Sequence, residues 1–232
     1  MDLERIALPG KRQAWINPDW PDRDGLMQIL ASCEMTPPGT VIHKDDHASL
    51  VATVPAGPRR YLLKHYRRQP FRRELGRALR RPKALHSYEM ALAIAALGIP
   101  TGQPAAIVIE PFCTVLRRGA CLITDALPGV TARTFFDDPR VSPDDRARIA
   151  AGMVQILRRL HAAGMVHGDA KDNNFVIDGE RVYLIDFDET TCPRWRQETL
   201  RRKDWRQLMH NWRADPATAA LFQSLLGAAE DS

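Results

Sequence analysis

Apolar and polar positions alternate over the first half of the chain and then shift to a longer period. Residues 39–54 (GTVIHKDDHASLVATV) and 60–66 (RYLLKHY) predict strands, with Pro55-Ala56-Gly57-Pro58 as the turn between them. Residues 71–81 are too Arg-rich for a core and predict a short exposed helix. Pro82 suits the first turn of a longer helix, which Gly98-Ile99-Pro100 stops. In it Leu85, Glu89, Leu92 and Ala96 recur at i, i+4, i+7 and i+11 and predict one inward face, with a carboxylate in its middle. Residues 104–110 (PAAIVIE) and 120–126 (ACLITDA) predict two further strands.

Beyond Pro128-Gly129 the period is helical. Ser142 is a candidate N-cap, with Pro143 at the first helical position and acids at 144 and 145. The helix carries Ile149, Met153, Ile156, Leu157 and Leu160 toward a core and ends at Gly164. Two short apolar runs, Phe175–Ile177 and Val182–Ile185, flank Asp178-Gly179, a tight hairpin signal. The tail reads as helix. The predicted class is α+β, strand-rich first and helix-rich afterwards.

Composition narrows the class. The 232 residues are 44% hydrophobic and 26% charged, enough to bury a core and too apolar for a wholly disordered chain. No apolar run approaches the roughly 20 residues of a membrane span, and MDLERIALPGKRQAW lacks the apolar stretch of a secretory signal. Cys33, Cys113, Cys121 and Cys192 form no CxxC pair, which argues against a disulfide framework or zinc site. The expected compartment is the cytoplasm.

The net charge of +5 conceals an asymmetry. Residues 59–83 hold eleven Lys or Arg and one acid, Glu74, so this segment is +10 and the remainder −5. A second cluster, Arg194, Arg196, Arg201, Arg202, Lys203 and Arg206, is interleaved with Trp195 and Trp205. Basic patches with flanking aromatics attract polyanions: nucleic acid, anionic lipid headgroups or a phosphorylated glycan. A solvated helix face is the bland alternative.

The chemistry-bearing stretch is His167-Gly168-Asp169-Ala170-Lys171-Asp172-Asn173-Asn174, followed after the hairpin by Leu184-Ile185-Asp186-Phe187-Asp188. Phosphoryl transfer needs a carboxylate to orient the attacking hydroxyl and accept its proton. It also needs oxygen ligands for Mg²⁺ and a cation near the phosphates. Asp169 can serve as the base, Asn174 and Asp186 as metal ligands, and Lys171 as the cation.

HGDAKDNN resembles the H-x-D-x-K-x-x-N catalytic loop of the protein-kinase-like superfamily, and IDFD resembles its DFG metal motif, with Asp188 where that pattern has Gly. The resemblance implies ATP and Mg²⁺ as cofactors and a two-lobed fold. Residues 1–126 would form a small, mostly antiparallel β lobe with one long helix, and residues 127–232 a compact helical lobe. Such a fold requires a strand lysine contacting the α/β-phosphates and a helix glutamate pairing with it. Lys64, within YLLKHY, and Glu89 fill those places, each charge tolerable inside because the other neutralises it. The bland alternatives are a snorkelling Lys64 and a Glu89 at the edge of its stripe. Backbone from Asp125 to Leu127 would contact adenine. No glycine-rich loop is present: residues 44–49 (KDDHAS) stand in its place, so phosphate cover is expected from amides around 46–49 or from side chains. Asp204 reads either as the acid that braces the catalytic loop or as a surface acid.

Only 44 residues follow Asp188 and no APE-like motif occurs, so the platform of a peptide-directed kinase is not expected. KHYRR (64–68), Tyr88-Glu89, LGIPTGQP (97–104) and LITDALPG (122–129) are similar to bacterial lipopolysaccharide kinases of the Kdo/heptose kinase family. That resemblance implies a sugar hydroxyl of the lipopolysaccharide inner core as acceptor. It also implies a glycolipid or sugar partner and peripheral contact of the basic belt 59–83 with the anionic inner face of the cytoplasmic membrane, with no specific nucleic acid. The alternatives are a compact atypical Ser/Thr protein kinase of the RIO type and a small-metabolite or aminoglycoside-type kinase.

Overall fold

The computed structural model describes residues 3–31, 37–67, 82–111 and 117–227. The chain forms two compact units. One comprises residues 1–89 and 102–126, the other residues 90–101 and 127–232. Most of the basic belt, and the helix expected at 71–81, lie outside the described residues.

The first unit is built on an antiparallel seven-stranded sheet. Its strands are β1 (Glu4–Ala7), β2 (Gln13–Ile16), β3 (Val41–Asp45), β4 (Ser49–Ala56), β5 (Arg59–Tyr66), β6 (Pro104–Pro111) and β7 (Arg117–Asp125), in the order β1-β2-β6-β7-β5-β4-β3. Helix α1 (Arg23–Ala31) buries Leu26, Ile29 and Leu30 in a core with Ile16, Val54, Tyr61, Leu63, Ala106 and Ile123. The stretch 39–54 forms two strands, β3 and β4, that meet at a turn. Asp46 makes the turn with its own carboxylate, Oδ1 accepting from the amides of Ala48 (2.8 Å) and Ser49 (2.7 Å). Pro55 lies inside β4, and the following turn narrows to Gly57-Pro58.

Helix α2 (Lys83–Ala96) starts in this unit and ends in the next. Its buried positions are Ala84, Ser87, Tyr88, Ala91 and Ile94. The stripe predicted to face inward, Leu85, Glu89, Leu92 and Ala96, lies one position round: the first three are half-buried and Ala96 is exposed. Small Ala84 and Ala91 allow close approach beside Tyr88 and Ile94, so volume outweighs the hydrophobicity of the two leucines.

In the second unit, α3 (Ala132–Asp137), α4 (Pro143–Ala162), α5 (Gln197–His210) and α6 (Pro216–Gly227) accompany a small sheet, β8 (Val130–Thr131), β9 (Phe175–Asp178) and β10 (Arg181–Leu184), ordered β10-β9-β8. Helix α4 begins as predicted, with Ser142 Oγ accepting from the Asp145 amide at 3.1 Å. Its inward residues join Phe136, Phe175, Leu184, Leu208, Trp212 and Phe222 in one core, where the Trp212 and Phe222 rings stack 5.6 Å apart. Among the described residues no helix is long and apolar enough to cross a membrane.

Candidate active site

The polar residues of 167–174 gather because the backbone around them is stitched from several directions. Val166 and Thr191 exchange both backbone hydrogen bonds, at 2.9 and 3.0 Å, which holds the loop against the segment after Asp186. Gly168, at φ +82°, passes so near that segment that a Cβ there would sit 2.5 Å from the Glu189 carbonyl oxygen. Only glycine fits that approach.

Two buried groups lock the loop. His167 is fully buried; its Nε2 donates to the Ile185 carbonyl (3.0 Å), and its Nδ1 accepts from the Asp169 amide (3.3 Å). The ring is therefore neutral and ties the residue before Asp186 to Asp169 itself. Burial lowers its pKa from the ordinary 6.5, opposed by the carbonyl of Ile185 and the charges of Asp204, Asp186 and Asp169. The second lock is Asp204, on α5 and fully buried. Its carboxylate accepts from the amides of His167 and Gly168, both at 2.8 Å, and from His161 Nε2 at 2.9 Å. Of the two readings left open by the sequence, Asp204 is the brace and not a surface acid.

On this frame Asp169 is part-exposed, its Oδ1 2.7 Å from Lys171 Nζ. Asn174 Nδ2 donates to the Asp169 backbone oxygen (2.8 Å) and to Oδ2 (3.3 Å). Because the amide nitrogen is committed there, the Asn174 carbonyl oxygen is the end left for a hard cation. The Asn174 backbone oxygen accepts from the Ile185 amide at 3.0 Å, so the hairpin does bring residue 174 beside the approach to Asp186. Asp186 is exposed and adopts φ +65°, a strained conformation for a non-glycine residue and one that clusters at functional sites. Asp169, Lys171, Asn174 and Asp186 thus belong to one framework within the second unit. Its hard-oxygen donors, a carboxylate and a carboxamide, suit Mg²⁺ shared with phosphate oxygens.

Sequence reasoning missed three supporting residues. Gln207, one turn beyond Asp204, accepts from the Ala170 amide (3.3 Å) and lies 3.5 Å from Asp169 Oδ1. Arg133 on α3 meets the buried Asp172 carboxylate at 2.6 Å and so pins the turn that carries Asn174. His161 completes the Asp204 cluster. Only Gln207 left a usable signal, since a position at i+3 on the bracing helix faces the same loop.

The nucleotide-binding candidates lie in the first unit, except Leu127. Lys64 is half-buried in the middle of β5, paired with Val51 on one side and Leu122 on the other. Tyr61 and Leu63 fill the core behind it, so Lys64 shares the opposite face with Leu62 and Tyr66, its ammonium 5.4 Å from the Tyr66 ring. Tyr66 Oη in turn reaches Ser87 Oγ of α2 at 3.5 Å, two residues before the half-buried Glu89. At the end of β7 the Asp125 amide is spent on Gln103 O and the Ala126 amide on Arg60 O, both at 3.0 Å. The Asp125 carboxyl accepts from the Gln103 amide, and burial raises its pKa. Among the described residues this leaves the Leu127 amide, not those of 125 or 126, to donate to a base. The amides of Ala48 and Ser49 are likewise committed to Asp46, and the Asp46 amide to the Ser49 carbonyl.

The neutral histidine, the Asp–Lys–Asn set of the loop and the positive-φ aspartate after a hairpin are arranged as in the two-lobed α+β kinase-like fold. The chain belongs to the Lipopolysaccharide kinase (Kdo/WaaP) family, whose sequence model matches residues 45–228. A solved structure described as WaaP in complex with acyl carrier protein is similar in fold, with a TM-score of 0.55 and 16% identity over 82% of this chain and 81% of that one. Among curated proteins, a probable bifunctional tRNA threonylcarbamoyladenosine biosynthesis protein of Methanosarcina mazei is 26% identical over 154 residues, 65% of this chain. Its counterpart in Methanosarcina acetivorans is 52% identical over 33 residues, 14% of this chain. The chain spans only 24% and 6% of the length of these two relatives.

Proposed function

We propose that this protein moves the γ-phosphoryl group of ATP to a sugar hydroxyl of the lipopolysaccharide inner core, Kdo or heptose, with Mg²⁺. The observation that carries this reading is the fixed juxtaposition of Asp169 with Asn174 and, through Ile185, with the turn that presents Asp186. Asp169 orients the sugar hydroxyl and takes its proton as the oxygen attacks the γ-phosphorus and the bond to ADP breaks. Lys171, 2.7 Å from Asp169, offsets negative charge beside the transferred group. Asn174 and Asp186 would hold Mg²⁺, which would neutralise charge developing on the phosphate oxygens. Lys64 meets the α/β-phosphates with Glu89 as its partner, and the backbone after Asp125 receives adenine. Membership of a lipopolysaccharide kinase family supports the sugar acceptor. The same reading places the protein in the cytoplasm, with the belt 59–83 against the anionic inner leaflet. The tRNA-modification relatives favour a second reading, an atypical kinase acting on a protein.

The metal assignment is tested by thermal shift with a non-hydrolysable ATP analogue, with and without Mg²⁺. At about 100 times the dissociation constant the complex gains about 2.7 kcal/mol. Asp186→Ala should lose the Mg²⁺-dependent part of the shift. A variant that keeps it would remove Asp186 from the metal site.

A further inference from the structure

The helical unit carries a groove of about 750 Å³ that opens beside the catalytic loop and is lined by Lys171, Lys203, Trp205, Arg206, Gln207 and Arg213. Three of these residues join it to the loop around Asp169: Lys171 contacts Asp169 Oδ1 at 2.7 Å, Gln207 accepts from the Ala170 amide at 3.3 Å, and Lys203 Nζ donates to the Gly168 carbonyl at 2.9 Å. The lining contains four Lys or Arg and no acid. Elsewhere on this unit Arg133, Arg140, Arg148 and Arg202 each meet a carboxylate. Arg206 and Arg213 are exposed and meet none among the described residues; Arg206 Nε donates to the Arg202 carbonyl at 3.3 Å. Cations that could have been neutralised locally, as their neighbours are, instead line a groove whose floor flanks Asp169.

Trp205 adds the second half of the chemistry. It is half-buried, steadied edge-on against the His161 ring at 5.2 Å, and it also lines the groove. A fixed indole beside a cluster of guanidinium and ammonium groups presents a flat apolar surface next to anion donors. A neutral acceptor would need only the first, and a small anion only the second.

We propose that this groove is the acceptor subsite and that it takes an anionic saccharide: a ring lying along Trp205, with a carboxylate or phosphate held by Lys203, Arg206 and Arg213. The proposal rests on the sugar-kinase reading above and deepens it, because the anion would set which hydroxyl reaches Asp169.

The probe is a deacylated inner-core oligosaccharide containing Kdo and phosphate, used intact, carboxyl-reduced, or dephosphorylated. Its binding to the full chain is measured by calorimetry at low salt, for wild type and for Arg206→Gln/Arg213→Gln. Both positions are exposed, and Arg206→Lys/Arg213→Lys serves as the charge-keeping control. The expected result is binding at least ~10-fold weaker in the Gln variant and largely restored in the Lys variant. The Mg²⁺–nucleotide thermal shift should be unchanged in both. Whichever stripped probe binds wild type as weakly as the intact probe binds the Gln variant identifies the anion as carboxylate or phosphate. Equal binding of intact probe to wild type and Gln variant would overturn the proposal, and so would loss of transfer RNA binding in the Gln variant with saccharide binding intact. Because binding is read without turnover, an absent nucleotide response in wild type would count against the kinase reading separately.

Discussion

Asp169→Ala should lower turnover at least ~10²-fold while nucleotide affinity stays within about twofold of wild type, as expected when a base is lost and the nucleotide contacts are not. Asp169 is the part-exposed carboxylate of the framework, with one oxygen toward Lys171 and the other toward Asn174. Its backbone position is set from elsewhere, by His167 Nδ1 on its amide and by Asn174 Nδ2 on its carbonyl. Removing the side chain therefore leaves the loop in place, and Asp169→Asn, which keeps shape without basicity, should be equally impaired. Steady-state kinetics paired with analogue binding checks both. Normal turnover with weakened ATP binding would move Asp169 out of the proton-accepting role.

Asp204→Ala should act by the opposite route, through stability first. The carboxylate is fully buried and satisfies three donors, two of them backbone amides of the catalytic loop. Truncation orphans all three in a place water does not reach, and breaking such a buried network costs about 3–5 kcal/mol. For a chain of this size that corresponds to a fall in melting temperature of roughly 6–20 °C. Activity should also fall, at temperatures where the variant is still folded, because His167 and Gly168 lose the anchor that orients Asp169. A variant melting within 2 °C of wild type would show that Asp204 does not hold the loop.

How much of this was legible in the sequence follows the range of the forces involved. The start of α4 could be read because Ser142, Pro143 and the two acids act within one turn. The loop 167–174 and the IDFD segment could be picked out because their polar residues fall in a fixed local order. The loop at 44–49 could be placed, but not how it is held: neither Gly nor Pro marks it, and its geometry comes from the Asp46 carboxylate. Strands β1 and β2 are four residues each; β1 pairs with β2, and β2 joins the sheet through β6, some ninety residues away. The inward face of α2 was misplaced by one position because small residues beside Tyr88 decide its packing. His161 and Asp204 meet across 43 residues, and nothing local distinguishes that aspartate from an exposed one. The groove beside Asp169 is of the same kind: Lys203 and Arg206 were visible in a basic cluster, but that Arg206 and Arg213 meet no carboxylate among the described residues was not.

The central claim is that phosphate leaves ATP for a sugar hydroxyl under the control of Asp169. It is tested most directly by incubating the purified protein with γ-labelled ATP, Mg²⁺ and deacylated inner-core oligosaccharide, then following where the label goes. The account predicts label on the saccharide with wild type and at least ~10²-fold less with Asp169→Ala. Label appearing only on protein, with the saccharide bare, would contradict it.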